Sequence, residues 1–137
     1  MKVFIITVLF IFSTSCNKNQ ENNTISKSSI DPYKLGQTFK NHEYNKNIFD
    51  ITTNENNLIT TIILKSNKYK TDEGFGIGTG FEQLKKGKKK WIDKKLQLNK
   101  GTSIIGLIGD SIIYDNIMFV DSDKDEKVDF VWITSQQ

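Results

Sequence analysis

The chain has 137 residues and a formal charge of +3, one domain's worth of sequence with nearly balanced charge. All nineteen basic residues are lysine, and without arginine's bidentate fork the usual tool for reading phosphate and guanine is missing, which excludes a nucleic-acid binder. There is also no alanine, and β-branched residues and asparagine are abundant, so helix propensity is low and strands should dominate.

Met1-Lys2 opens the chain with positive charge, Val3 to Phe12 is apolar apart from Thr7, and Ser13-Thr14-Ser15 leads into Cys16. A charged start, an apolar run of this length and small residues before a cut point make a secretory signal, too short to span a bilayer. A cysteine directly after the small residues is what bacterial lipoprotein processing uses. The thiol takes a diacylglyceryl group, and removal of residues 1–15 leaves Cys16 first. The segment resembles the relaxed lipobox of Bacteroidota lipoproteins, with Ser13 and Ser15 where stricter versions carry Leu and Gly or Ala. Cys16 is the only cysteine, so no intramolecular disulfide can form, and lipid attachment gives the exported thiol a use. Further acylation, with palmitate for instance, would supply the two or three chains that stable anchoring needs. Asn17 stands where an aspartate would signal inner-membrane retention, so the outer membrane is the expected location.

Asn17 to Ile30 has two isolated apolar residues and no aromatic, which reads as a flexible tether over 16–30. Such a coil reaches roughly 20 Å on average, enough to hold a domain clear of headgroups. A single folded domain over 31–137 is expected to begin at Asp31-Pro32, where proline fixes a turn or opens a helix. Residues 31–41 read as a short helix or an irregular lead-in. Ile48 to Thr53 and Leu58 to Lys65 are β-branched runs around Asn54-Glu55-Asn56-Asn57, a hairpin pattern. After a loop over Ser66 to Glu73, Thr79 with Glu82 three residues on fits a capping box, predicting a helix from Gly80 to Lys86 that stops at Gly87. Trp91 to Leu98, Ser103 to Ile108, Ile112 to Val120 and Val128 to Thr134 complete the strands, the last two joined by Asp121 to Lys127.

The central strands are apolar on both faces. Alternation sends Leu58, Ile62 and Leu64 one way and Ile59 and Ile63 the other, while Val128, Phe130 and Trp132 oppose Val131 and Ile133. Two-faced burial requires cover on both sides, and one short helix shields only one. Either the sheet curls into a roll or part of its second face meets a partner.

The glycines at 74, 76, 78 and 80 fail both the dinucleotide fingerprint and the P-loop ending, and read as a strand-to-helix corner. Leu35-Gly36-Gln37-Thr38-Phe39, Ile77-Gly78-Thr79-Gly80-Phe81 and Ile108-Gly109-Asp110-Ser111-Ile112 share an aliphatic-Gly-x-small-apolar shape. In these turns and the lipobox the chain resembles BamE/SmpA-type outer-membrane assembly lipoproteins and the repeats of β-lactamase inhibitory protein. That resemblance implies a Gly-x-Thr turn starting a helix packed on an antiparallel sheet. It departs from those families in lacking Met or Lys after the glycine and a longer helix.

Asp121, Asp123, Asp125 and Asp129 fall at positions 1, 3, 5 and 9 of a calcium loop, with the Lys127 carbonyl at position 7. Glu126 replaces the glycine of position 6, and Trp132 replaces the bidentate carboxylate of position 12. The run reads as a weak calcium site, completed by an acid such as Asp110 or Asp115, or as a charge-tipped hairpin; no other cofactor is implied. Lys85 to Lys95 holds seven lysines against one aspartate. Lys88, Lys89, Lys90, Trp91, Lys94 and Lys95 read either as a solvated, edge-guarding stretch or as a contact to an anionic surface. His42 is the sole histidine, and no serine lies in a nucleophile-elbow context, so His-based zinc, Cys-His and Ser-His-Asp chemistries have no parts.

These readings give an α+β domain, with an antiparallel sheet of five or six strands and one or two short helices, on an acylated tether in the cell envelope. The expected role is non-enzymatic: a protein-binding or assembly module held at the membrane. An inhibitor or immunity-type lipoprotein that blocks an exported enzyme is the alternative, and a small carboxylate-dependent hydrolase the third.

Overall fold

The computed structural model describes residues 23–40, 44–87, 97–104, 107–114 and 116–135. The fold is α+β and mostly antiparallel sheet. In chain order the elements are β1 (Ser29–Ile30), β2 (Tyr33–Lys34), β3 (Phe49–Thr53), β4 (Ile59–Leu64), α1 (Phe81–Gly87), β5 (Gln97–Ile104), β6 (Leu107–Tyr114), β7 (Ile117–Asp121) and β8 (Phe130–Thr134). Six strands form one sheet in the order β3-β4-β8-β7-β6-β5, and β1 and β2 form a small hairpin apart from it. No helix among the described residues is long and apolar enough to cross a membrane.

The β3–β4 hairpin is set by asparagine chemistry. The Asn54 side-chain oxygen accepts from the amides of Asn56 and Leu58, both at 3.0 Å, and Asn57 takes the left-handed φ of 58° that the turn demands. Register then decides which residues share a face. Phe49 pairs with Leu64 and Ile51 with Ile62, but past Thr52 the register shifts and Thr53 pairs with Ile59. The extra residue, Thr60, reverses the alternation of β4, so Ile59 joins Ile62 and Leu64 on the core face. Simple alternation had put Ile59 opposite them; the bulge corrects it. Across the sheet this face continues through Ile133 and Val131, Ile117 and Phe119, and Ile112. All of these side chains are buried, and Phe81 and Leu84 of α1, Phe75, Tyr69 and Val128 close over them.

The amino-terminal segment is the largest correction to the sequence reading. Residues 24–30 are not tether: Thr24 bridges Lys70, Ile25 bridges Ile30, and both isoleucines are at most 2% exposed. Their isolation in sequence hid a reach to distant partners. Tyr33 stacks edge-on against Phe49 at 5.1 Å, and Phe49 against Tyr69 at 5.5 Å, so the small hairpin seals one end of the core. Asp31-Pro32 makes the turn of that hairpin rather than opening a helix. Residues 1–22 lie outside the described residues, and with them Cys16 and the signal segment expected before it.

The helix falls where it was expected, but the capping box does not form. Gly80 is the residue before the helix, and its carbonyl accepts from Gln83 and Leu84. The Thr79 hydroxyl turns back to the Gly76 amide at 3.0 Å, while Glu82 pairs with Lys85 at 2.6 Å. That pair holds the Glu82 carboxyl below its ordinary range and the Lys85 ammonium above its own, in each case first through the hydrogen bond between them. Thr79→Ala should therefore cost about 1–2 kcal/mol, through an unpaired buried amide in the glycine corner. Glu82→Ala should leave the midpoint of chemical denaturation almost unchanged, the reverse of what a capping box requires.

Two further readings change. The expected strand from Ile112 to Val120 is a hairpin of β6 and β7, with Asn116 at φ 68° in the connection. Apolar residues on both sides hid the turn at Asn116. Gly109, the third of the echoed turns, sits inside β6 opposite Thr102. It is glycine because a Cβ there would strike the Asp121 carbonyl. Of the three turns only the middle one leads into a helix.

Candidate functional site

The aspartate run is the turn between β7 and β8, and both strands make it rigid at its ends. Val120 pairs with Phe130, and the Asp129 amide donates to the Val120 carbonyl at 2.8 Å. Asp121 is the last residue of β7 and, by register, lies on the core face, where it is 2% exposed. A carboxylate buried so deeply needs donors. Among the described residues it has two: the Lys124 amide gives to Oδ1 at 2.7 Å and the Glu126 amide to Oδ2 at 2.9 Å. The next carboxylates repeat the pattern, Asp123 accepting from the Asp125 amide at 3.1 Å and Asp125 from the Lys127 amide at 2.9 Å. Asp129 reaches back to the Ser122 amide and hydroxyl, both at 2.7 Å.

The backbone follows from these bonds. Lys124 and Glu126 adopt φ of 66° and 65°, so Glu126 takes the left-handed conformation for which a calcium loop normally reserves glycine. The turn also holds the helix. The Glu126 carbonyl accepts from the Phe81 amide at 2.8 Å, an otherwise orphaned donor of the first helical turn, and the Val128 amide and carbonyl bond Thr79 and Gly78.

Ligand oxygens of Asp121, Asp123 and Asp129 lie within 4.8 Å of one another. Asp125 does not join them; its carboxylate turns to Lys127, with 3.5 Å to the ammonium. Asp110 is the register partner of Asp121, yet it too is outside the triad, and the Asp115 position lies outside the described residues. Hence three of the four aspartates expected to converge do so. At Asp123 the hydrogen bond from the Asp125 amide lowers the pKa, but desolvation and the charges of Asp125, Asp129 and Asp121 outweigh it and hold the carboxyl above its ordinary range. An acid whose folded pKa is raised favours the folded state when protonated and opposes it when ionised. Asp123→Asn should therefore raise the melting temperature at pH 7, and the gain over the parent should fade as pH falls through the carboxylate range.

The second feature is the face of the sheet opposite the core. Register places Ile63, Trp132, Met118 and Ile113 in one row across β4, β8, β7 and β6, with Phe130, Val120 and Ser111 in the row beside it. Ile63, Val120 and Ser111 are buried, whereas Trp132, Met118, Ile113 and Phe130 are half-buried. None of the apolar residues in these two rows belongs to the core cluster beneath the helix. The Trp132 indole nitrogen is enclosed and has no acceptor among the described residues. The two-faced apolar pattern of the sequence is thus real. The lysine stretch, with Lys88, Lys89, Lys90, Trp91, Lys94 and Lys95, and His42 lie outside the described residues.

No protein-family model, curated protein or solved structure matches this chain.

Proposed function

We propose that this chain is a lipid-anchored, non-enzymatic module of the bacterial cell envelope that binds a protein partner through the second face of its sheet. The observation that carries the binding role is the half-buried run Trp132, Met118 and Ile113, with Phe130 beside it. It crosses three strands, includes the Trp, Met and Phe that anchor protein interfaces, and stands apart from the core cluster beneath the helix. The lipobox at Cys16 supports the location, with acyl chains at the outer membrane. Affinity capture from envelope membranes, with the native chain and with Met118→Glu, tests the reading. An envelope assembly partner lost by at least about tenfold in Met118→Glu, with the melting curve unchanged, is the expected result. Equal recovery by both chains sinks the second face as the site, and capture of a toxin or hydrolase favours the inhibitor alternative. Cys16→Ser should abolish incorporation of labelled lipid and leave an uncleaved precursor of higher mass that keeps residues 1–15.

The aspartate turn supports a second reading, as a weak calcium site that stiffens the module. Calcium is a hard ion that takes several oxygens, and the convergence of Asp121, Asp123 and Asp129 supplies three carboxylates to it. Calcium at ten times its dissociation constant would add about 1.4 kcal/mol to folding. Identical melting curves in calcium and in chelator reduce the cluster to a turn.

A further inference from the structure

The two edges of the six-stranded sheet are treated differently. β5 carries Lys100 and Gly101 inside a register shift, two residues running against Asp110 alone on β6. A bulge and a lysine on the edge strand itself are the devices that prevent strand addition. β3, at the opposite edge, has neither lysine nor proline, and the extra residue at its register shift belongs to β4.

The free pairing groups of β3 follow residue by residue. The Lys65 amide donates to the Ile48 carbonyl at 2.8 Å and the Asn54 amide to the Leu58 carbonyl at 3.0 Å. Those bonds set the parity of the ladder: Asp50 and Thr52 exchange bonds with Ile63 and Thr61, while Phe49, Ile51 and Thr53 turn their amides and carbonyls outward. The Phe49 amide is taken by the Asn45 carbonyl at 3.0 Å. No described residue pairs with the groups of Ile51 and Thr53.

We propose that a second copy of this chain adds at this edge, β3 against β3 antiparallel about a two-fold axis through Ile51. The register is self-complementary. Ile51 would exchange two bonds with its counterpart, and each Thr53 amide would meet the Phe49 carbonyl of the other copy, which no described residue takes. On the core side Phe49 would lie across from Thr53. On the second face Asp50 would lie across from Thr52, and Lys65 at 2.6 Å already neutralises its carboxylate. Like charges thus never oppose one another directly, which is the electrostatic condition for such a pair. The pairing is independent of the partner proposed for the second face and joins two six-stranded sheets edge to edge.

Sedimentation of the mature chain from residue 16 to 137 carrying Cys16→Ser, so that neither the apolar Val3–Phe12 run nor acyl chains drive association, is the test. The mass should double across roughly 1 µM to 1 mM, the range for a small interface. Amide exchange at Ile51 and Thr53 should slow over the same range. Ile51→Pro removes a donor that the internal ladder does not use, so it should weaken dimerisation by at least about tenfold. The amide measurement on the unsubstituted chain stands even if the proline variant fails to fold. A monomer throughout, with concentration-independent exchange at Ile51, overturns the proposal and leaves the edge to a strand of another protein. So does a dimer that Ile51→Pro leaves intact, since it would use another surface.

Discussion

Replacing Phe119 with alanine is expected to cost about 3–5 kcal/mol, which would unfold much of the population of a domain this small. Phe119 is fully buried at the middle of β7, with Ile112 and Val131 as register partners on its two sides. Its ring lies on the face sealed by Phe81 and Leu84, where the backbone of three paired strands cannot collapse into the void. Urea denaturation should show the midpoint falling with the slope unchanged. Phe130→Ala, one strand over on the second face and only half-buried, should cost under about 1.5 kcal/mol. Equal losses at the two positions would mean that the helix side is not the dominant core.

Asp121→Ala should cost about 2–3 kcal/mol, because the amides of Lys124 and Glu126 lose their acceptors together. Those amides can recover part of the loss by reaching water, which keeps the figure below that of two fully buried donors. Asp121→Asn retains one acceptor oxygen and should fall between the alanine variant and the parent. Chemical denaturation of the three proteins checks the order. An alanine variant as stable as the parent would mean that the carboxylate does not organise the turn.

Much of the sheet was legible because local chemistry and tertiary structure agree there. Asn54 to Asn57 is a turn by its own hydrogen bonds, and the β-branched runs beside it have nowhere to go but strands. Gly80 to Gly87 reads as a helix for the same reason, even though Thr79 and Glu82 bond elsewhere. The illegible parts depend on distant partners. Nothing near Ile25 shows that Lys70 and Ile30 will hold it, and nothing near Ile59 shows that Thr60 will be bulged out. At the aspartate turn, spacing identified the cluster but not which member leaves it. Asp125 drops out because Lys127 follows two residues later and offers both an amide and an ammonium. The residues around Cys16 and the lysine stretch are read from sequence alone.

The bonds from Gly78, Thr79 and Phe81 to Glu126 and Val128 bear on how this chain can vary in length. Residues inserted between Ser122 and Asp125 would disturb the aspartate cradle yet leave β8 in step with its neighbours. A single residue inserted between Glu126 and Phe130 would reverse the parity of β8, sending Val131 and Ile133 out of the core and Trp132 into it. Natural relatives should therefore be able to lengthen the first half of this turn only by giving up the aspartate cradle, and be held to a fixed count in the second.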